Sequence, residues 1–208
     1  MQCPLSTVHG SNTIRWHRLE SKGIGPRMEQ SPKKPKGPNL KAGDVFELEV
    51  PDGRLGYGVI VLPNSGAPYV IILRSLHRAQ PTTAQLATDE IALVGWTMDA
   101  LIYHGRWRVV GHDFPTRMDI PAPNFKVGME GRMYVTDVTG DVLDEAAPDE
   151  ADVLDYQFSR APVAYQQAFE AMHGFGEWKD DYEKLTPSYA RQRMSRRGKP
   201  PKNVHMTD

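Results

Sequence analysis

Cysteine is almost absent from this chain, with Cys3 the only one in 208 residues. A single thiol excludes an internal disulfide framework and a cysteine-rich metal site. Long apolar runs are missing as well. No stretch approaches the roughly 18 apolar residues of a membrane span, and the chain start lacks the apolar segment of a secretory signal. The expectation is a soluble, cytoplasmic protein. Catalytic signatures are equally scarce, for no H-E-x-x-H, G-x-S-x-G or activated cysteine pair occurs. The stretch "GRLGYG" (53–58) has the glycines of a phosphate loop but lies between two strand patterns. It therefore opens no helix whose N-terminus could hold an anion.

What is present is charge, unevenly divided. Residues 1–42 carry eight Lys/Arg against two acids, and residues 186–208 carry six against one. Residues 43–185 carry 11 Lys/Arg against 23 Asp/Glu, a net of −12 inside a chain whose formal total is −1. Such a body repels nucleic acid and attracts basic partners, so direct nucleic-acid binding is not expected. The basic C-terminal run "RQRMSRRGKPPK" (191–202) has no interleaved aromatics and no groove-reading motif, which favours a solubilising role.

Three regions follow. Residues 1–42 show no sustained period, and "SPKKPKGPN" (31–39) is a Pro/Lys/Gly tract that stays extended, so this arm is expected to be disordered. Residues 1–27 read either as an upstream extension ahead of a start at Met28 or as part of that basic arm. Order is expected over 43–185, and 186–208 reads as a second disordered basic tail.

Within the ordered region, Phe46, Leu48 and Val50 alternate with Glu47 and Glu49, the pattern of a half-buried strand. The turn "PDGR" (51–54) and the run "LGYGVIVL" (55–62) complete a hairpin, with Gly56 and Gly58 leaving room for a close neighbour. "YVIILRSL" (69–76) suits a central strand, and a further strand is expected over 91–96 after a helical turn capped by Thr83. "DIPAPNFKVG" (119–128) reads as a connection and 131–143 as a hairpin turning at Thr139-Gly140. A short helix over 148–156 has Pro148 in its first turn and acids at its positive end. The clearest helix spans 159–174, with Ser159 as N-cap, Gly174 as stop, and a stripe of Ala164, Tyr165, Ala168, Phe169 and Met172. Strands first and helices after them indicate an α+β fold, a mainly antiparallel β-sheet followed by short C-terminal helices.

"HGRWRVVGH" (104–112) holds two histidines, His104 and His112. If the intervening residues are extended they stand about 26 Å apart, at roughly 3.3 Å per residue, too far to share one metal. Trp107 and Val109 then fill one face, and the stretch reads as a core strand. Acids crowd Asp141, Asp144, Glu145, Asp149, Glu150, Asp152 and Asp155. Their density suggests a solvated acidic face, with docking of a basic partner as the functional alternative.

Four segments in this order resemble the immunity protein 26 family of bacterial polymorphic toxin systems. They are "GDVFELEVPDGRLGYGVIV" (43–61), "HGRWRVVGHDFP" (104–115), "YVTDVTGDVLDEAAPDEADVLDY" (134–156) and "SRAPVAYQQAFEAMHGFGEWKDDYEKL" (159–185). The resemblance implies an antidote that binds a cognate toxin domain from a neighbouring gene and protects the producing cell. It implies no catalytic residues, metal or cofactor. Gly43, Phe46, Gly53, Tyr57, Gly58, Gly105, Trp107, Gly111, Gly174 and Trp178 match positions that read physically as turn and core. Many such toxins are nucleases with basic clefts, which suits a body of net −12. Asp141, Asp144, Glu145, Asp149 and Glu150 are the candidate contact residues. Two other readings are a β-rich adaptor for an unrelated protein or peptide, and a small hydrolase using His112, Asp113 and His173.

Overall fold

The alternation at Phe46, Leu48 and Val50 leads into an antiparallel sheet in the computed structural model, which describes residues 38–115, 119–129 and 131–193. Strands β1 (Val45–Glu49), β2 (Leu55–Leu62), β3 (Tyr69–Leu73), β4 (Ile91–Trp96) and β5 (Arg108–Gly111) form this sheet in the order β4-β3-β2-β1-β5. A second antiparallel sheet has the order β6-β7-β8, from β6 (Phe125–Met129), β7 (Arg132–Thr136) and β8 (Val142–Glu145). Short helices α1 (Thr83–Leu86) and α2 (Ala100–Tyr103) fall between strands. The remaining four follow the last strand: α3 (Pro148–Val153), α4 (Pro162–Met172), α5 (Asp180–Glu183) and α6 (Pro187–Gln192). The fold is α+β, as the order of patterns indicated.

Both faces of the five-stranded sheet are covered. On one, Phe46, Leu48, Ile60, Val70 and Ile72 pack against Tyr165, Ala168 and Phe169 of α4 and against Trp107. On the other, Val45, Tyr57, Val59, Ile71 and Leu73 meet Leu86, Phe114, Ala122, Val138 and Ala190. Each large side chain moved from water into such a layer contributes about 1.5–3 kcal/mol. The glycines of β2 admit the covering side chains. A Cβ on Gly56 would overlap the Phe169 ring, and one on Gly58 would overlap the Phe46 ring.

Several local expectations change. Strand β1 is buried on both faces, because Glu47 is only 6% exposed and is ion-paired with Arg108 on the neighbouring strand. Phe125–Met129, expected to be connection, is a strand, because β7 folds back and pairs with it throughout. The cap of α1 is Thr82, not Thr83, in a reciprocal capping box with Gln85. Helix α4 begins at Pro162 behind Ala161, without a side-chain cap, so Ser159 is not its N-cap. Pro162 needs no partner for a missing N–H there.

The tail expected from residue 186 is also corrected at its start. Residues 187–192 form α6, capped by Thr186, and Ala190 is buried in the second core layer. The Asn124 N–H donates to the Arg193 carbonyl, and Arg193 Nε lies 2.9 Å from Asp155. Residues 194–208 and 1–37 lie outside the described residues, as do the readings made for them.

Candidate functional site

Residues 104–112 run from the end of α2 to the edge of the five-stranded sheet. Only residues 108–111 are a strand, and β5 sits at the sheet edge with its residues exposed or half-buried. His104 caps the end of α2, edge-on to Tyr103, and the chain turns at Gly105 before reaching Trp107. Trp107 is the buried anchor of the stretch. It stacks on Phe46 with ring centroids 4.8 Å apart and donates from Nε1 to Gln166 Oε1 at 2.8 Å. Gln166 donates in turn to the Glu49 carbonyl and to Glu170, so this α4 side chain ties the helix to β1 and is itself held by Trp107. Arg108 donates from Nε to Glu47 at 2.7 Å. His112 Nδ1 lies 2.6 Å from Asp44 Oδ1, and the buried Asp44 also accepts from the Lys41 N–H at 2.8 Å.

These contacts separate the residues of the hydrolase reading. His112 pairs with Asp44 rather than with Asp113, beside Val45 at the start of β1. His173 packs edge-on to Phe169, whose ring covers Gly56, the partner of Leu48 further along β1. The two histidines therefore stand at different ends of one strand, a separation on the order of 10 Å along it. Burial, with the nearby Arg54 and Arg74 charges, holds the His173 imidazole below its ordinary value against a raising hydrogen bond at the Arg74 backbone. Among the described residues no group of three or more His, Cys, Asp or Glu could hold a metal ion.

The acidic candidates fall on consecutive elements. Asp141 ends the β7–β8 turn, where the Asp137 carboxylate accepts from the N–H groups of Thr139 and Asp141. Asp144 and Glu145 lie on β8, the edge strand of its sheet, with Glu145 3.5 Å from Arg132. Asp149 and Glu150 occupy the first turn of α3. All but the half-buried Glu150 are exposed, and so are Val142 and Leu143 between them. Of the residues matched to turn and core, Phe46, Tyr57 and Trp107 are buried, and Gly43 packs on the backbone at Phe114. Gly53, Gly105 and Gly174 end turns, and Gly111 faces Val45. Trp178 departs from that reading, because it is 37% exposed and touches Tyr182 edge-on.

A polar cluster that the sequence patterns do not mark joins the end of α6 to the segment between α3 and α4. Asp155 accepts from Tyr189 Oη at 2.6 Å and from Arg193 Nε at 2.9 Å, partners 34 and 38 residues away. Burial raises the Asp155 carboxyl, but the bonds from Tyr189 and Arg193 and the charges of Arg193 and Lys184 outweigh it and leave it below the ordinary value. Burial, then the bond to Asp155, push Tyr189 up to about 12. A carboxyl depressed by folding adds stability above its unfolded pKa of about 3.9, and that stability is lost as pH falls through the folded value. Asp155→Asn is therefore expected to lower the urea midpoint at pH 7 and to leave it unchanged near pH 2. An equal loss at both pH values would assign the effect to packing.

The architecture is thus an α+β protein of two antiparallel sheets, in which buried Asp44 and Glu47 pair with His112 and Arg108 beside β1 and buried Asp137 holds a turn. Over residues 41–132 the chain matches the family model described as Immunity protein 26. That segment contains the whole five-stranded sheet and β6, so the resemblance in "GDVFELEVPDGRLGYGVIV" and "HGRWRVVGHDFP" falls inside it. The segments from 134 onward, with β8, α3 and α4, lie beyond the matched residues. No curated protein and no solved structure matches the chain. No helix of the described residues is long and apolar enough to cross a membrane.

Proposed function

We propose that this protein is an immunity protein that binds a cognate bacterial toxin, encoded by a neighbouring gene, and neutralises it by occupying its surface. The observation that carries the reading is the match of residues 41–132 to the Immunity protein 26 family. The toxin is a nuclease whose basic cleft meets the acidic body, and the complex forms in the cytoplasm of the producing cell. Contact is made through Asp141, Asp144, Glu145, Asp149 and Glu150, where negative charge steers encounter with a basic partner.

The test is rescue. The toxin domain encoded beside this gene is expressed with and without the full chain, and growth and complex formation are followed. Restored growth with a co-purifying complex is the expected result. Absence of both, with a folded protein, would favour the adaptor reading. The contact surface is tested by the triple variant Asp141→Lys, Asp144→Lys, Asp149→Lys. These side chains are exposed, so the fold is expected to survive. The association rate at low salt should fall at least about tenfold, the lower end of electrostatic steering. An unchanged rate and affinity would move the interface elsewhere.

A further inference from the structure

The outer edge of β4 is covered by two segments that bond it on either side of Gly95. The Arg160 N–H donates to the Trp96 carbonyl, and the Val94 N–H donates to the Leu185 carbonyl. Between these two bonds a cleft of about 70 Å³ opens, lined by Tyr69, Trp96, Phe125, Tyr165 and Tyr189. The hydroxyls of these tyrosines are already engaged. Tyr69 donates to the Pro121 carbonyl, Tyr165 to the Trp96 carbonyl and Tyr189 to Asp155. The walls therefore offer mainly ring faces. A void of this size holds roughly five waters or one small ring, at about 10–15 Å³ each.

Its rim is cationic. Arg160, Lys184 and Arg193 line it against the single carboxylate of Asp155, which Tyr189 and Arg193 already occupy. Arg160 lies over the Phe158 ring, 4.9 Å from its centroid. Among the described residues, neither Arg160 nor Lys184 has a carboxylate within ion-pair distance. Tyr156 and Phe158 are more than half exposed, with Tyr156 lining the mouth beside Phe158.

We propose that this cleft is a binding site for a small monocarboxylate with an apolar body of about one ring. The ring enters between Trp96, Tyr165 and Phe125, and the carboxylate stays at the rim. There it accepts hydrogen bonds from Arg160 and Lys184, a charge-assisted arrangement suited to the guanidinium fork. A cavity with apolar walls and a few convergent polar groups is the usual form of a small-molecule site. The proposal is independent of toxin binding.

The experiment titrates the full chain with sodium phenylacetate and follows the Trp96 indole N–H resonance. Phenethylamine supplies the same ring with the opposite charge, and acetate supplies the charge without the ring. Phenylacetate is expected to shift Trp96 saturably with a Kd of about 1 mM, an ordinary affinity for so small a ligand. Phenethylamine and acetate should bind at least about fivefold more weakly, lacking the charge pairing or the ring burial respectively. The double variant Arg160→Gln, Lys184→Gln should weaken phenylacetate about tenfold and leave the remaining spectrum in place. No saturable shift, equal binding of phenethylamine, or unchanged affinity in the variant would each overturn the proposal.

Discussion

Replacing Trp107 by alanine is expected to cost about 3–5 kcal/mol, the range for deleting a buried large aromatic. Three losses combine at this position. The indole is 1% exposed, its ring stacks on Phe46, and its N–H, just ahead of β5, donates to the Gln166 side chain that bonds the Glu49 carbonyl. Because β5 pairs only with β1 in its sheet, it has little else to hold it against α4. Trp107→Phe keeps most of the stack and loses the hydrogen bond, so a smaller cost near 1 kcal/mol is expected. Trp178→Ala serves as the contrast. Its side chain is more than a third exposed and packs mainly on Tyr182, so a smaller cost of about 1–2 kcal/mol is expected. Urea unfolding of the three variants separates these values, and a Trp107→Ala cost no larger than that of Trp178→Ala would remove the anchor role.

Gly58→Val is expected to be nearly as damaging, for the opposite reason. Here atoms are added where none fit. The first added carbon would overlap the Phe46 ring and stand 2.8 Å from the Ile71 carbonyl oxygen. Phe46 cannot swing aside, because Trp107 is stacked on it, and the Ile71 carbonyl belongs to β3 in the middle of the sheet. Overpacking of this kind costs about 1–3 kcal/mol, with the upper end expected where both neighbours are fixed. Gly176→Ala is the control, since its added carbon finds nothing nearer than 4.0 Å. If chemical denaturation places Gly58→Val and Gly176→Ala at the same midpoint, the close packing over β2 is not a stability determinant.

The glycines of β2 also show how much of the fold is legible in the sequence. The glycine–tyrosine–glycine order in β2 signalled a close approach on one face, but the ring that approaches each glycine is named only by the folded chain. Phe169 comes from α4, more than a hundred residues later. The candidate residues divide in the same way. The acidic run was visible as a charge density; pairing with β7 places Asp144 and Glu145 on the edge strand β8, while Asp149 and Glu150 fall in the first turn of α3 behind Pro148. The cleft at β4 gave no sequence signal beyond an abundance of aromatics between 156 and 169. Its walls come from five separate segments.

What the sequence determined by itself is what depends on near neighbours. The alternation at 45–50, the turn at Gly53, the strand at 91–96 and the helix running up to Gly174 are local choices, made by side-chain period and backbone freedom. Net charge is likewise a sum that needs no structure. What only the tertiary structure decided is every feature created by distant partners. Glu47 looked solvent-facing by period, yet Arg108, 61 residues away, allows it to be buried. Residues 186–193 looked like a basic tail, yet burial of Ala190 and the pairing of Arg193 with Asp155 draw them into the core as α6. Periodicity reports which face of an element is apolar, whereas the free energy that docks a short polar segment is supplied by the surface it meets.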